Sequence, residues 1–354
     1  MEFLRSRCKT KEKPHPMLYI QFDNTQSEHL PSRRGRPWRT SAMDPLLGVK
    51  LLVGIGAGVS GLVFNSWIVH VSSKDWRGVS HLSPPDLILT FMGLINITLQ
   101  LVLSLDMSSI QTKLYSTYDQ IHIRFLGLSI FLVSTNVWLT AWLSIYYCFR
   151  IVHFTGRILS LCKVRISRFL PNLLVVSTGA SFLLGLLSFW NIHPVRVVDI
   201  FGNSAHNRTM SRSSLSVSSA YVTAAFVGSI LPLILTLIPI VLTLSSLWRH
   251  IKRMKENKSA SCHPQTQAHV RAARTMGLLV SVHTCLLTAA IYQLSRTFNF
   301  NDAVMLFCWY ISLLYPTLQA LVIITGNSKL REAIKNMLSL GSFRCHQNGP
   351  SLPA

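Results

Sequence analysis

Two sets of residues in this sequence have the types and spacing to do chemistry. The first is three amides, Asn65, Asn96 and Asn136, each inside an apolar run almost free of charge. A polar side chain surrounded by hydrocarbon must find a partner, usually on a neighbouring helix. Asn65 and Asn96 therefore read as helix-packing amides. Asn136 reads equally as a packing amide or as a contact for a ligand or switch. Ser129, Val133 and Asn136 are spaced four and three apart and share one helical face. The second set is basic. From Leu231 the chain runs LPLILTLIPIVLTLSSLWRHIKRM, with Arg249, His250, Lys252 and Arg253 in its last turns, then a polar loop, then QAHVRAARTM and a new apolar span from Gly277. Lys and Arg collect on the cytoplasmic flanks of membrane helices, so this piece predicts two helices joined by a basic loop inside the cell.

Motifs of catalysis and cofactor binding are missing. There is no H-E-x-x-H, no Walker sequence and no pair of intramembrane carboxylates, and Cys8, Cys148, Cys162, Cys262, Cys285, Cys308 and Cys345 have no metal spacing. Gly56, Gly58 and Gly61 spell G-x-G-x-x-G, but inside an apolar span, where small residues let helices approach closely. No enzyme, cofactor or metal is expected.

The elements that must hold these residues are membrane spans. Of 354 residues, 49% are hydrophobic and 13% charged, with mean hydropathy +0.36. A soluble domain carries about a quarter charged residues. Seven apolar segments, at 46–71, 87–105, 125–149, 170–190, 220–248, 274–294 and 303–326, are long enough to cross hydrocarbon. The expected fold is an all-α membrane protein, a seven-transmembrane helix bundle. The connections at 72–86, 150–169 and 249–274 and the tail after 326 hold eighteen Lys and Arg, and those at 106–124, 191–219 and 295–302 hold six. The asymmetry predicts an extracellular N-terminus and a cytoplasmic tail. The net charge of +21 lies between the spans, which points to the membrane surface and not to nucleic acid.

Residues 1–42 are polar, Pro-rich and basic, with the composition of a disordered extension. Met43 stands directly before the first span as a candidate initiator, so the receptor domain is taken as 43–330 and the tail as 331–354. Ser328 to Leu338 (SKLREAIKNML) alternates apolar and basic residues at helical spacing, and suits a short amphipathic helix on the inner leaflet. Pro232 and Pro239 are expected to kink the fifth span. Of three glycosylation sequons, Asn96 falls inside a span, Asn257 in a cytoplasmic loop, and Asn207 in the long outer loop, where modification is feasible.

The fifth span and its exit resemble the bitter taste receptors, the type 2 taste receptor family of G-protein-coupled receptors. Leu231-Pro232, Ser246-Leu247, His250 to Met254 and Ala268-His269 match the family pattern in order. So do NSWIVHVSSKDW (Asn65 to Trp76), LSIYYCFRIVHF (Leu143 to Phe154), AIYQLS (Ala290 to Ser295) and YPTLQALVIITGNSKL (Tyr315 to Leu330). Departures stand beside the matches. Asn96 replaces the usual Arg, Gln319-Ala320 the usual His-Ser, and Ser129 and Val133 fall where many members have Trp and Asn.

The resemblance implies a receptor for small, often bitter agonists, coupled to a gustducin-type heterotrimeric G protein. It places ligand contacts at Tyr292 and Trp309, which with Ser129, Val133, Asn136 and Ser229 form the expected binding ring. It places coupling at Arg150, His250, Lys252, Arg253 and His269, a basic face that also attracts anionic membrane lipid. Two other readings remain. A vomeronasal-type pheromone receptor typically carries an outer cysteine pair, which is missing here. A small-solute transporter would show an internal repeat.

Overall fold

The computed structural model describes residues 45–74, 83–111, 118–152, 157–199, 210–256, 264–295 and 303–347. In chain order they form α1 (Pro45–Ser73), α2 (Pro84–Gln111), α3 (Tyr118–Ile151), α4 (Arg157–Asn191), β1 (Ile192–Asp199), β2 (Met210–Val217), α5 (Ser219–Glu256), α6 (Pro264–Ser295), α7 (Ala303–Gly326) and α8 (Ser328–Gln347). The extension 1–42, Met43, Asn207 and Asn257 lie outside the described residues. Seven helices, α1 to α7, are long and apolar enough to cross a membrane. Even α7, with 24 residues, rises about 36 Å, more than the hydrocarbon thickness. A helix is required there because hydrocarbon offers no partner for an open N–H or C=O.

Helix ends overrun the apolar runs that announced them. The segment predicted at 87–105 ends at Gln111, and that at 125–149 starts at Tyr118. Hydropathy marks only the part in hydrocarbon, whereas the backbone keeps its internal hydrogen bonds into the polar rim. The start of α2 is set locally. Ser83 precedes Pro84 at the first helical position, its hydroxyl donates to Asp86 Oδ2 at 2.6 Å, and its carbonyl accepts the Leu87 N–H at 3.0 Å. Pro171, Pro232, Pro239 and Pro316 lie inside α4, α5 and α7, each removing one backbone donor.

Alternating helices define two ends. At one end β1 and β2 form an antiparallel hairpin between α4 and α5, with Ile192 paired to Val217 and Asp199 to Met210. Ile192 seats the hairpin on Ile123 of α3, with Leu184 and Ala225 alongside. At the opposite end α8 leaves α7 at Asn327, whose side-chain oxygen accepts the Lys329 N–H at 2.9 Å. Lys329 Nζ meets Asp86 Oδ2 at 3.0 Å, and Leu330 is fully buried in the main core. The predicted helix at 328–338 thus extends to Gln347 and is tied to α2.

The core divides along the bundle axis. Ile68, Ile88, Leu89, Met92, Leu143, Leu170 and Ile323 fill the α8 half, and Leu99, Val102, Leu132, Leu286 and Tyr315 the hairpin half. Helix α3 runs against α2, α4, α5 and α6. It meets α4 closely because both lack a side chain at the crossing, where a Cβ on Gly185 would stand 3.0 Å from the Gly127 carbonyl. Ser134 and Ser181 hydroxyls (3.0 Å) and Trp142 Nε1 on Ser177 (3.2 Å) join the same pair. Large apolar side chains point outward along every span, Ile55, Val63, Val175, Leu183, Val241 and Phe307 among them. In water such faces would aggregate, and in lipid they are the expected boundary.

Candidate functional site

At the centre of the bundle the three amides singled out from sequence form one directed chain with Gln319. Asn65, Asn96, Asn136 and Gln319 come from α1, α2, α3 and α7, and all are fully buried. Asn65 Nδ2 donates to the carbonyls of Gly61 (2.8 Å) and Pro316 (3.1 Å). Both partners can only accept, so the Asn65 amide is oriented with its oxygen towards α2. There it accepts from Asn96 Nδ2 at 2.9 Å. The Asn96 oxygen must then accept from Asn136 Nδ2 at 2.6 Å, and the Asn136 oxygen from Gln319 Nε2 at 3.4 Å. The chain begins and ends on one turn of α7, at Gln319 and at the Pro316 carbonyl. It clamps the proline-bearing turn of that helix to α1, α2 and α3 without using a formal charge.

Above it, towards the hairpin, a second polar link joins α6 and α7. His283 Nδ1 lies 2.7 Å from the Leu279 carbonyl, an acceptor, so Nδ1 carries hydrogen, and in the neutral ring Nε2 accepts the Tyr315 hydroxyl at 2.9 Å. Further out, Gln293 Nε2 donates to Ser312 Oγ at 3.3 Å, again between α6 and α7. Between α2 and α3, His122 Nδ1 meets Asp106 Oδ1 at 2.9 Å, with both side chains buried.

The expected ligand residues are graded in depth. Tyr292 stands three residues before the end of α6, Trp309 six into α7, Ser229 ten into α5, Ser129 eleven into α3 and Val133 fifteen. At about 1.5 Å per residue, they descend from the hairpin end towards the middle. Trp309 is buried, while Ser129, Val133, Ser229 and Tyr292 are half-buried. Val133 packs on the cluster that contains Tyr315 and Leu286. Asn136 lies deepest, with its nitrogen and oxygen both engaged in the amide chain.

The expected coupling residues gather at the α8 end. Arg150 is the penultimate residue of α3 and is exposed, as is Lys252 in the last turns of α5. His250 and Arg253 belong to the same turns of α5, and His269 to the first turns of α6. Exposed Arg249, Arg274 and Lys335 extend the positive face.

Sequence reading passed over the His283–Tyr315 link and the Asp106–His122 pair. Asp106 and His122 had been assigned to a loop at 106–124, although both are helical. A carboxylate and an imidazole at the facing ends of consecutive spans were the available signal.

Seven helices long and apolar enough to span, with a polar core and a basic end, define a multi-pass membrane protein. The model of the family described as Taste receptor protein (TAS2R) matches residues 43–342. Taste receptor type 2 member 40 of Gallus gallus is 30% identical over 295 residues, covering 81% of this chain and 93% of that protein. Taste receptor type 2 member 39 of Macaca mulatta is 26% identical over 338 residues, covering 93% and 94%. Taste receptor type 2 member 7 of Macaca mulatta is 29% identical over 296 residues, covering 81% and 92%. The chain belongs to the type 2, or bitter, taste receptor family, a class of receptors and not of enzymes.

Proposed function

We propose that this protein detects small bitter-tasting molecules at the plasma membrane and passes the signal to a gustducin-type heterotrimeric G protein. The hairpin end faces outside with the N-terminus, and the α8 end with the C-terminal tail faces the cytoplasm. Agonists enter from the hairpin end and contact Tyr292, Trp309, Ser229, Ser129 and Val133, with Asn136 at the floor. Two aromatics supply apolar area and the hydroxyls fix orientation, which suits a small, mostly apolar ligand. Arg150, His250, Lys252, Arg253 and His269 receive the G protein, and anionic lipid shares that basic face.

The observation that carries this reading is the division of labour along one axis. Small polar and aromatic side chains descend from one end, the exposed Arg150 and Lys252 stand at the other, and the amide chain lies between them. A ligand shifts such a system only through its difference in affinity for two arrangements. The test is calcium release in cells carrying the full chain and a chimeric G protein, challenged with a panel of bitter compounds. A concentration-dependent response absent from mock-transfected cells is expected. Surface-expressed receptor silent to the whole panel would refute the proposal.

A further inference from the structure

Helix α4 has an outward face that the bundle core does not use. Its buried side includes Leu170, Leu174, Ser177 and Ser181, and the two serines bond to Trp142 and Ser134 of α3. Opposite them runs one exposed stripe. It carries Arg165, Arg168 and Asn172 towards the α8 end, Val176 and Leu183 in the middle, and Trp190 at the hairpin end. At 3.6 residues per turn these side chains fall within about 80° of arc. Exposed Val176 and Leu183 mark the stripe as facing hydrocarbon, and a tryptophan suits the far interface.

Asn172 is out of place on such a stripe. A polar side chain inside a span ordinarily faces the bundle interior, yet Asn172 lies within the span Arg168–Asn191 and is exposed. Neither its amide nor the guanidinium groups of Arg165 and Arg168 have a hydrogen bond or ion pair among the described residues. Helix α4 contains no Asp or Glu to neutralise the two arginines. Depth decides what can pair them. The 24 residues of the span rise about 36 Å against a hydrocarbon core of about 30 Å. With the span centred, Arg168 stands about 3 Å outside the core, Asn172 about 3 Å inside it, and Arg165 among the headgroups. Phospholipid phosphate and ester oxygens are the acceptors at these levels. Two guanidiniums repel the cation of a zwitterionic headgroup, so the fit is to an anionic one.

We propose that this end of α4 binds an anionic phospholipid of the inner leaflet. Arg168 takes the phosphodiester and Arg165 the charged headgroup beyond it, since a guanidinium matches phosphate with two parallel N–H bonds. The Asn172 amide donates to an ester oxygen where the acyl chains begin. The chains lie along Val176 and over Gly179, where an added Cβ would meet no neighbour within 4 Å. The site is separate from the coupling residues, which belong to α3, α5 and α6. Its placement in the inner leaflet rests on the orientation proposed above; the binding itself does not.

The test uses the purified full chain in a neutral detergent, mixed with phosphatidylinositol bisphosphate or phosphatidylcholine, with the bound fraction read by native mass spectrometry. The parent should bind the anionic lipid about tenfold more strongly than the zwitterionic one. Arg165→Gln with Arg168→Gln should erase that preference, and Asn172→Leu should weaken binding about twofold. Arg165→Lys with Arg168→Lys keeps the charge that sets topology, so it inserts even if the glutamine pair does not. It should still lose about threefold, because lysine offers no paired donors. Arg249→Gln with Lys252→Gln removes the same charge from exposed positions on α5 and should change binding by less than about twofold. An equal loss from that control would make the attraction a property of net charge and overturn the site. Parent-like binding by the lysine pair would overturn the paired contacts. Full displacement by soluble inositol trisphosphate would make the ligand a free phosphate and not a lipid. Glycosylation at Asn257 in place of Asn207 would move the site to the outer leaflet and leave the binding result standing.

Discussion

Replacing Asn96 by leucine probes the amide chain at its centre. Asn96 both donates to Asn65 (2.9 Å) and accepts from Asn136 (2.6 Å), and it is fully buried. Leucine keeps the branched skeleton of asparagine and adds bulk, so no cavity opens and any repacking cost adds to the destabilisation. The larger effect is that the Asn65 oxygen and the Asn136 nitrogen are left without partners. An orphaned buried group costs about 1–3 kcal/mol, while an interhelical hydrogen bond in a membrane protein is worth about 0.6 kcal/mol on average. The orphans dominate, and the total is about 2–4 kcal/mol. Thermal denaturation followed with a thiol-reactive dye suits this protein, because among the described residues Cys148 and Cys308 are buried and react only as the bundle opens, while exposed Cys285 adds to the background. The expected fall in melting temperature is about 4–10 °C. Thr98→Leu, two residues away on the outer face, serves as control and should shift it little. The decisive variant is Asn96→Leu with Asn136→Leu. The singles together create four orphans and the double variant only two, so its cost should be less than the sum of the singles by about 2–4 kcal/mol. Additive costs, or a neutral Asn96→Leu, would refute the chain as a coupled unit.

Other expectations follow from single contacts. Asp86→Asn and Lys329→Met should show a coupling below about 1 kcal/mol in thermal denaturation, because the Lys329 side chain is 37% exposed and water screens the pair; a larger coupling would mean a drier contact. Trp309→Ala and Tyr292→Ala should each raise an agonist's half-maximal concentration at least tenfold at normal surface levels, since a lost buried aromatic costs a few kcal/mol, and parent-like responses from both would move the ligand elsewhere. Neutralising Arg150 or His250 should weaken signalling while ligand binding persists; full signalling from these and from the Lys252, Arg253 and His269 variants would leave the charges with topology alone. A glycan-removing enzyme should shift the electrophoretic mobility of the expressed chain, and Asn207→Gln should abolish that shift; a shift that instead disappears with Asn257→Gln would invert the orientation.

Much of the architecture was legible in the chain because the solvent imposes it. Hydrocarbon tolerates only long apolar helices, so seven apolar runs announced α1 to α7, and the motifs from Asn65 to Leu330 pointed to the family that the comparison then established over 43–342. The same rule singled out Asn65, Asn96 and Asn136, because an amide in an apolar run has to be paired with something. The identity of the partner was not legible. The bond from Gln319 to Asn136 and that from Tyr315 to His283 join residues far apart in the chain, and no local pattern encodes which helix faces which. The hairpin escaped notice for a related reason. Its second strand, MSRSSLSV, is serine-rich with little strand propensity of its own, and pairs only because β1 leaves α4 beside it. Helix ends were misjudged where polar residues continue a helix past its apolar run, as Asp106 and His122 do. Periodicity reports what a segment must hide from water or show to lipid. Which amide meets which was decided only when α1, α2, α3 and α7 were brought together.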